Sequence, residues 1–170
     1  MSKLIAGLVI ALLSTPVVAA DTSYSLFEGL VKFSAPAEWP VMMEKKEGIP
    51  QFIAFQVVDP AAQGSGEASQ VSVEAKLLND ASTSQALINA GIDKAKQAQG
   101  FEARSDAGAN AMHYVALNGK QRYEYRESWI LNSRMLTHIR CARPLLAATS
   151  AAWTQSYEAG CKLITQSIKP

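Results

Sequence analysis

The sequence predicts an α+β domain: an antiparallel β-sheet of about six to seven strands covered by two main helices in an α/β/α sandwich, closed by one disulfide. Three observations predict it. Period-two alternation recurs along the chain, as in Val71, Val73 and Ala75 of "SQVSVEAKLL". Two other stretches repeat apolar residues at helical intervals, Ile88, Ile92 and Ala95 in one and Trp153, Tyr157, Cys161, Ile164 and Ile168 in the other. The third observation is the placing of the two cysteines, Cys141 at the end of a strand and Cys161 on the apolar stripe of the helix that follows.

The first element is not part of the domain. Met1, Ser2 and Lys3 make a short positive start, "LIAGLVIALL" follows from Leu4 to Leu13, and "STPVVAA" leads to small residues at Val18 and Ala20. This is the three-part form of a secretory signal, with cleavage expected after about Ala20 and Asp21 as the mature N-terminus. The apolar run is too short to span a hydrocarbon core, which takes roughly 20 helical residues. No cysteine lies near the cut to carry a lipid, so the expected product is a periplasmic protein without a membrane anchor. An oxidising compartment allows Cys141 and Cys161 to persist as a structural disulfide, and their spacing is far longer than the Cys-x-x-Cys of redox-active pairs.

Residues 21–170 are expected to form a single domain with a sizeable core. The whole chain has 16 Lys and Arg against 15 Asp and Glu, and Lys3 leaves with the leader, so the mature charge is balanced. Bulk electrostatics therefore gives no attraction to nucleic acid or to an anionic membrane surface.

The first strand is expected within 25–36, stopped by Pro36. A hairpin follows, with strands near 41–46 and 51–58 turning at Gly48 to Pro50. The Pro/Gly/Ser-rich "DPAAQGSGEAS" at 59–69 is a loop leading into the strand at 69–78. Ser82 and Gln85 have the spacing of a capping box, and Gly100 is a natural stop for the helix between them. Strand character returns at 101–119 and ends in Asn118-Gly119, a strong hairpin signal. Two more strands, about 120–131 and 134–142, turn at Asn132-Ser133, and a last helix is expected from about Ala147 to Ile168.

If both hairpins turn on those dipeptides, Trp129 faces Leu136, Glu127 faces His138 and Tyr125 faces Arg140, while Tyr123 faces Tyr114 and Tyr125 also faces Met112. One sheet face then carries Tyr114, Tyr123, Tyr125 and Trp129 with Glu127, His138 and Arg140 among them. The first reading of this wall is packing under a helix, with the charged groups as a polar rim; the sharper one is a concave site, for which these seven residues are the candidate ligand or partner surface. His113 and Glu124 fall on the opposite face, expected to be solvated. With two histidines, no His-x-x-x-His and no cysteine cluster, no metal site is expected; no nucleophile elbow or phosphate loop marks a catalytic or cofactor site. Ser128 and His138 differ in strand parity, which separates the one Ser-His pair that a hydrolase could use.

The "VKFSAPAEWPV" stretch, with Phe33, Pro36 and Trp39 spaced three apart, the order of elements after it, and the closing "LITQSIKP" together resemble the PsbP/DcrB-like group of α/β/α sandwiches. The resemblance carries no catalytic motif. It implies a non-enzymatic protein: an accessory subunit, a partner-binding adaptor, a chaperone of secreted effectors or an envelope protein. The expected function is accordingly a soluble periplasmic adaptor acting on a protein partner, an immunity protein against a periplasmic toxin being one version. Two alternatives are a carrier or sensor for a small apolar ligand held on the aromatic face, and a hydrolase centred on Glu127 and His138.

Overall fold

Residues 20–104 and 107–168 are described by the structure, a computed structural model. The expected leader lies outside the described residues except for Ala20. In chain order the elements are β1 (Asp21–Leu26), β2 (Val31–Pro36), β3 (Val41–Lys45), β4 (Gln51–Val57), β5 (Ser69–Leu77), α1 (Ser84–Lys96), β6 (Glu102–Ala103), β7 (Ala111–Asn118), β8 (Gln121–Asn132), β9 (Met135–Pro144) and α2 (Ala151–Ser167). β3 to β9 form a seven-stranded antiparallel sheet in the order β3-β4-β5-β9-β8-β7-β6, and β1 pairs with β2 in a separate ribbon.

The expected first strand at 25–36 is in fact two strands. The chain reverses at Phe27, Glu28 and Gly29, all at positive φ (50°, 54° and 94°), so extended structure cannot run through them. The capping box is not formed either. Asp80 takes the capping role, accepting from the Ser82 backbone N–H at 2.9 Å and the Ser82 hydroxyl at 2.6 Å, while Gln85 donates to Asn89 instead. A 3-10 turn at Ala81–Thr83 therefore precedes α1, which ends at Lys96. The last helix starts at Ala151 rather than near 147, where the Ser150 hydroxyl accepts from the Trp153 N–H at 3.1 Å.

Each sheet face has its own cover. On one face Ile53, Phe55, Val57, Val71, Val73, Ile139 and Cys141 are buried beneath α2 and the β1–β2 ribbon, which contribute Tyr157, Cys161, Ile164, Phe33 and Trp39. On the other, α1 lays Ile88 and Ala95 on Trp129, Leu136, Tyr114 and Tyr125. The fold is thus the expected α+β sandwich, and α1 covers only the β7–β8–β9 side of its face.

Cys141 and Cys161 are disulfide-bonded with Cα atoms 6.4 Å apart, tying β9 to α2. By the loop-entropy account a closed loop of this size stabilises by about 3 kcal/mol. Replacing both cysteines with serine is expected to lower unfolding stability by that order in denaturant titration, and an unchanged midpoint would contradict the structural role.

Candidate functional site

The two hairpins of β7, β8 and β9 bring the predicted site together, with a register displaced from the sequence reading. The observed pairs are Tyr114 with Tyr125, Glu127 with Arg140 and Trp129 with His138. The turns occupy Gly119-Lys120 and Ser133-Arg134, one residue later than Asn118-Gly119 and Asn132-Ser133. Gly119 (φ 61°) and Ser133 (φ 52°) take the first loop position of each, where the strands need a left-handed residue. Both partners of every pair shift by one place, so parity is kept and the same side chains share the face.

Glu127 is the hub of the site. It is buried, and its Oε1 accepts from the Tyr114 hydroxyl at 2.6 Å and lies 3.4 Å from Arg140 Nε. Its Oε2 lies 2.7 Å from His138 Nε2. Burial by itself would raise the Glu127 carboxyl, but hydrogen bonds from His138 and Tyr114, with the charges of His138 and Arg140, outweigh it and hold the group below the usual carboxylate range. Burial and the Glu127 carboxylate beside it push the Tyr114 phenol upward, so it stays a donor. The His138 ring stacks on Trp129 with centroids 4.7 Å apart, and the Arg140 guanidinium lies 4.7 Å above the Tyr125 ring centroid.

Tyr114, Tyr123, Tyr125 and Trp129 are all buried. Tyr114 and Tyr125 stack at 4.9 Å, and a methyl on Gly91 of α1 would come within 2.8 Å of Trp129. At Trp129 the wall is packed against α1. His138 and Arg140 do reach solvent, with side chains 29% and 46% exposed.

Sequence reasoning missed a cleft at the open end of the wall. Gly66, Glu67 and Ala68 of the β4–β5 loop stand across from Tyr123, Tyr125 and Arg140, enclosing about 310 Å³. The Tyr123 hydroxyl donates to Glu67 Oε2 at 2.6 Å and accepts from the Ala68 N–H at 3.3 Å, which pins the loop to the sheet. The signal was present in Glu67, an acid in a loop long enough to fold over a tyrosine.

The opposite face is not solvated as expected. His113 is buried, its Nε2 lies 2.7 Å from Glu124 Oε1, and Arg143 pairs with Glu124 Oε2. Arg126 reaches Glu158 of α2 at 3.5 Å. Burial raises the Glu124 carboxyl, yet the hydrogen bond from His113 and the charge of Arg143 leave it lowered overall. β8 thus carries one glutamate to each face, and each takes a histidine and a β9 arginine.

Fold and site together define a class: a two-helix antiparallel α+β sandwich with a charged network at the border of an open sheet face. No family model matches the chain, and no curated protein matches it. Among solved structures it is similar to LpqN of Mycobacterium tuberculosis, which is involved in cell envelope biogenesis, at 11% identity and a TM-score of 0.50 over 89% of this chain and 91% of that one. A Pseudomonas aeruginosa protein of unknown function, PA94, matches at 14% identity and a TM-score of 0.48 over 88% of this chain and 96% of that one. At 11% identity the likeness to LpqN is one of fold.

Proposed function

We propose that the chain is an exported, non-enzymatic binding protein that engages a protein partner through the uncovered part of its sheet. The observation that carries this reading is the face shared by β3, β4, β5 and the outer part of β9, over which no helix lies among the described residues. Phe52, Ala54, Ser72, Glu74, His138 and Arg140 occupy it. It ends at β3, an edge strand whose residues are all exposed, with Met42 and Met43 at 44% and 54%. An exposed edge offers free main-chain hydrogen bonds, and exposed, flexible methionines suit protein recognition.

Several further features support it. β1 begins at Asp21, the residue that leader cleavage would expose, and the disulfide fits an oxidising compartment. The fold likeness to LpqN, an envelope biogenesis protein, and the architecture resembling the PsbP/DcrB-like group both agree with an envelope adaptor, of which an immunity protein is one form. Against a hydrolase, Ser128 lies on the other face from His138, so the Glu127–His138 pair has no nucleophile in Ser128. Against apolar-ligand carriage, α1 packs closely on the aromatic wall at Trp129.

The reading is tested by native mass spectrometry of the protein purified gently from the envelope of its own cell. A co-travelling protein mass is expected, lost in Met43→Asp and retained in Leu87→Asp, which changes an exposed residue of α1. A partner indifferent to Met43→Asp, or no partner at all, would overturn it.

A further inference from the structure

We infer that Met42 and Met43 form a modification site: a peroxide converts both thioethers to sulfoxides while the protein is free, and the modified edge no longer takes the partner. The oxidation rests on the structure of the edge alone. Its effect on docking rests on the partner reading and gives that reading its regulation.

Thioethers are the most readily oxidised side chains this domain offers, because both cysteines are held in the disulfide and no thiol competes. After Met1 the sequence has four methionines, at 42, 43, 112 and 135. Of these, Met42 and Met43 are 44% and 54% exposed, whereas Met135 is buried and Met112 is half-buried against both core clusters beneath α1. An oxidant in solution therefore meets the β3 pair first.

The backbone joins the two into one target. The register of β3 on β4 passes from Val41 opposite Phe55 to Met43 opposite Ala54, so Met42 is the extra residue of a β-bulge. Strict alternation would send neighbouring side chains to opposite faces. The bulge instead turns both to the uncovered face, where Met43 stands beside Ala54 and Met42 Sδ lies 4.0 Å from Gln70 Nε2.

In the reaction a sulfur lone pair takes one oxygen of hydrogen peroxide and the O–O bond breaks. The departing hydroxide collects the proton of the transferred oxygen and leaves as water; sulfur has given up two electrons and the peroxide has accepted them. A methionine sulfoxide reductase reverses the change. The product alters the edge in two ways. Each flexible apolar side chain becomes polar and chiral, so covering it with a partner costs the hydration of its oxygen. Thioether sulfur is also only a weak acceptor, whereas a sulfoxide oxygen on Met42 would bond the Gln70 amide and draw the side chain onto the sheet.

The test treats the native protein with hydrogen peroxide, follows its intact mass and locates the sulfoxides by peptide mass spectrometry. A gain of two oxygen atoms is expected, at Met42 and Met43, before Met112 or Met135 reacts, and in denaturant all four react alike. The co-travelling partner is expected to be lost from the two-oxygen form and regained after reductase treatment. Met112→Leu and Met135→Leu, volume-conserving changes away from the edge, are expected to leave that response intact. Oxidation of Met112 or Met135 as fast as the exposed pair overturns the site. A partner that stays on the two-oxygen form, or a response abolished by either leucine variant, overturns the switch. If the pair oxidises selectively and no partner is carried, the partner reading falls and the site stands; if a partner is carried and the pair shows no preference, the site falls and the partner reading stands.

Discussion

Replacing Glu127 with alanine is expected to destabilise the protein by about 1–3 kcal/mol, the range for leaving a buried donor without its acceptor, because the His138 and Arg140 side chains left behind reach solvent. The change strips three groups at once: the Tyr114 hydroxyl, His138 Nε2 and Arg140 Nε all lose the acceptor within their reach. Of these, Tyr114 is buried, so its donor is left without water as a substitute. Denaturant unfolding at neutral pH measures the loss, and a change under about 1 kcal/mol would show that the network contributes no more than a surface pair.

The same carboxylate gives a pH signature. Glu127 and Glu124 are both lowered in the folded protein, so each binds its proton less readily folded than unfolded. Their stabilisation is therefore complete above the ordinary carboxylate range and is lost as pH falls through the lowered folded values. Stability is expected to decline in acid, and Glu127→Gln is expected to be less stable at neutral pH and to lose less on acidification. Parallel pH profiles for the two proteins would contradict this.

Gly160→Ala is the second large effect. Glycine in a helix is ordinarily worse than alanine by about 1 kcal/mol, so a free site would gain stability. Here the added methyl would overlap Cζ2 and Cη2 of Trp39 and come within 3.0 Å of Pro36 Cγ. Trp39 is buried, close to Tyr157 and Phe55 at centroid distances of 5.9 and 6.5 Å, and the packed core gives it little room to retreat. Overpacking of this kind costs about 1–3 kcal/mol and occasionally more, so steric overlap outweighs helix propensity. Trp39→Phe shortens the ring facing Gly160. In that background Gly160→Ala is expected to cost clearly less, and the non-additivity in a double-mutant cycle tests the contact directly.

Local pattern made much of this fold readable. Alternation placed β4, β5 and the meander, because a half-buried strand must keep its apolar side chains on one side whatever its exact register. That is why the sequence brought Glu127, His138 and Arg140 to one face even though both turns were read one residue early. Asn118-Gly119 marked a hairpin correctly, but only backbone geometry put Gly119 at the first loop position.

What lay beyond the sequence depended on contacts between distant segments. The reversal at Phe27–Gly29 rests on three consecutive left-handed residues, two of them non-glycine, for which the local sequence carries no strong signal. The buried state of His113 and the half-buried state of Glu124 depend on what covers this face, with Arg143 closing on Glu124, so alternation alone could not separate a covered face from a solvated one. The cleft needed Glu67 and Tyr123, 56 residues apart, to meet. By itself the sequence determined the class of fold, the disulfide pair and the set of side chains that share a face, because these follow from periodicity and composition. Only the tertiary structure decided which of them are buried and which are open, because that depends on where α1 ends, which leaves Arg140 at the border between packed core and water.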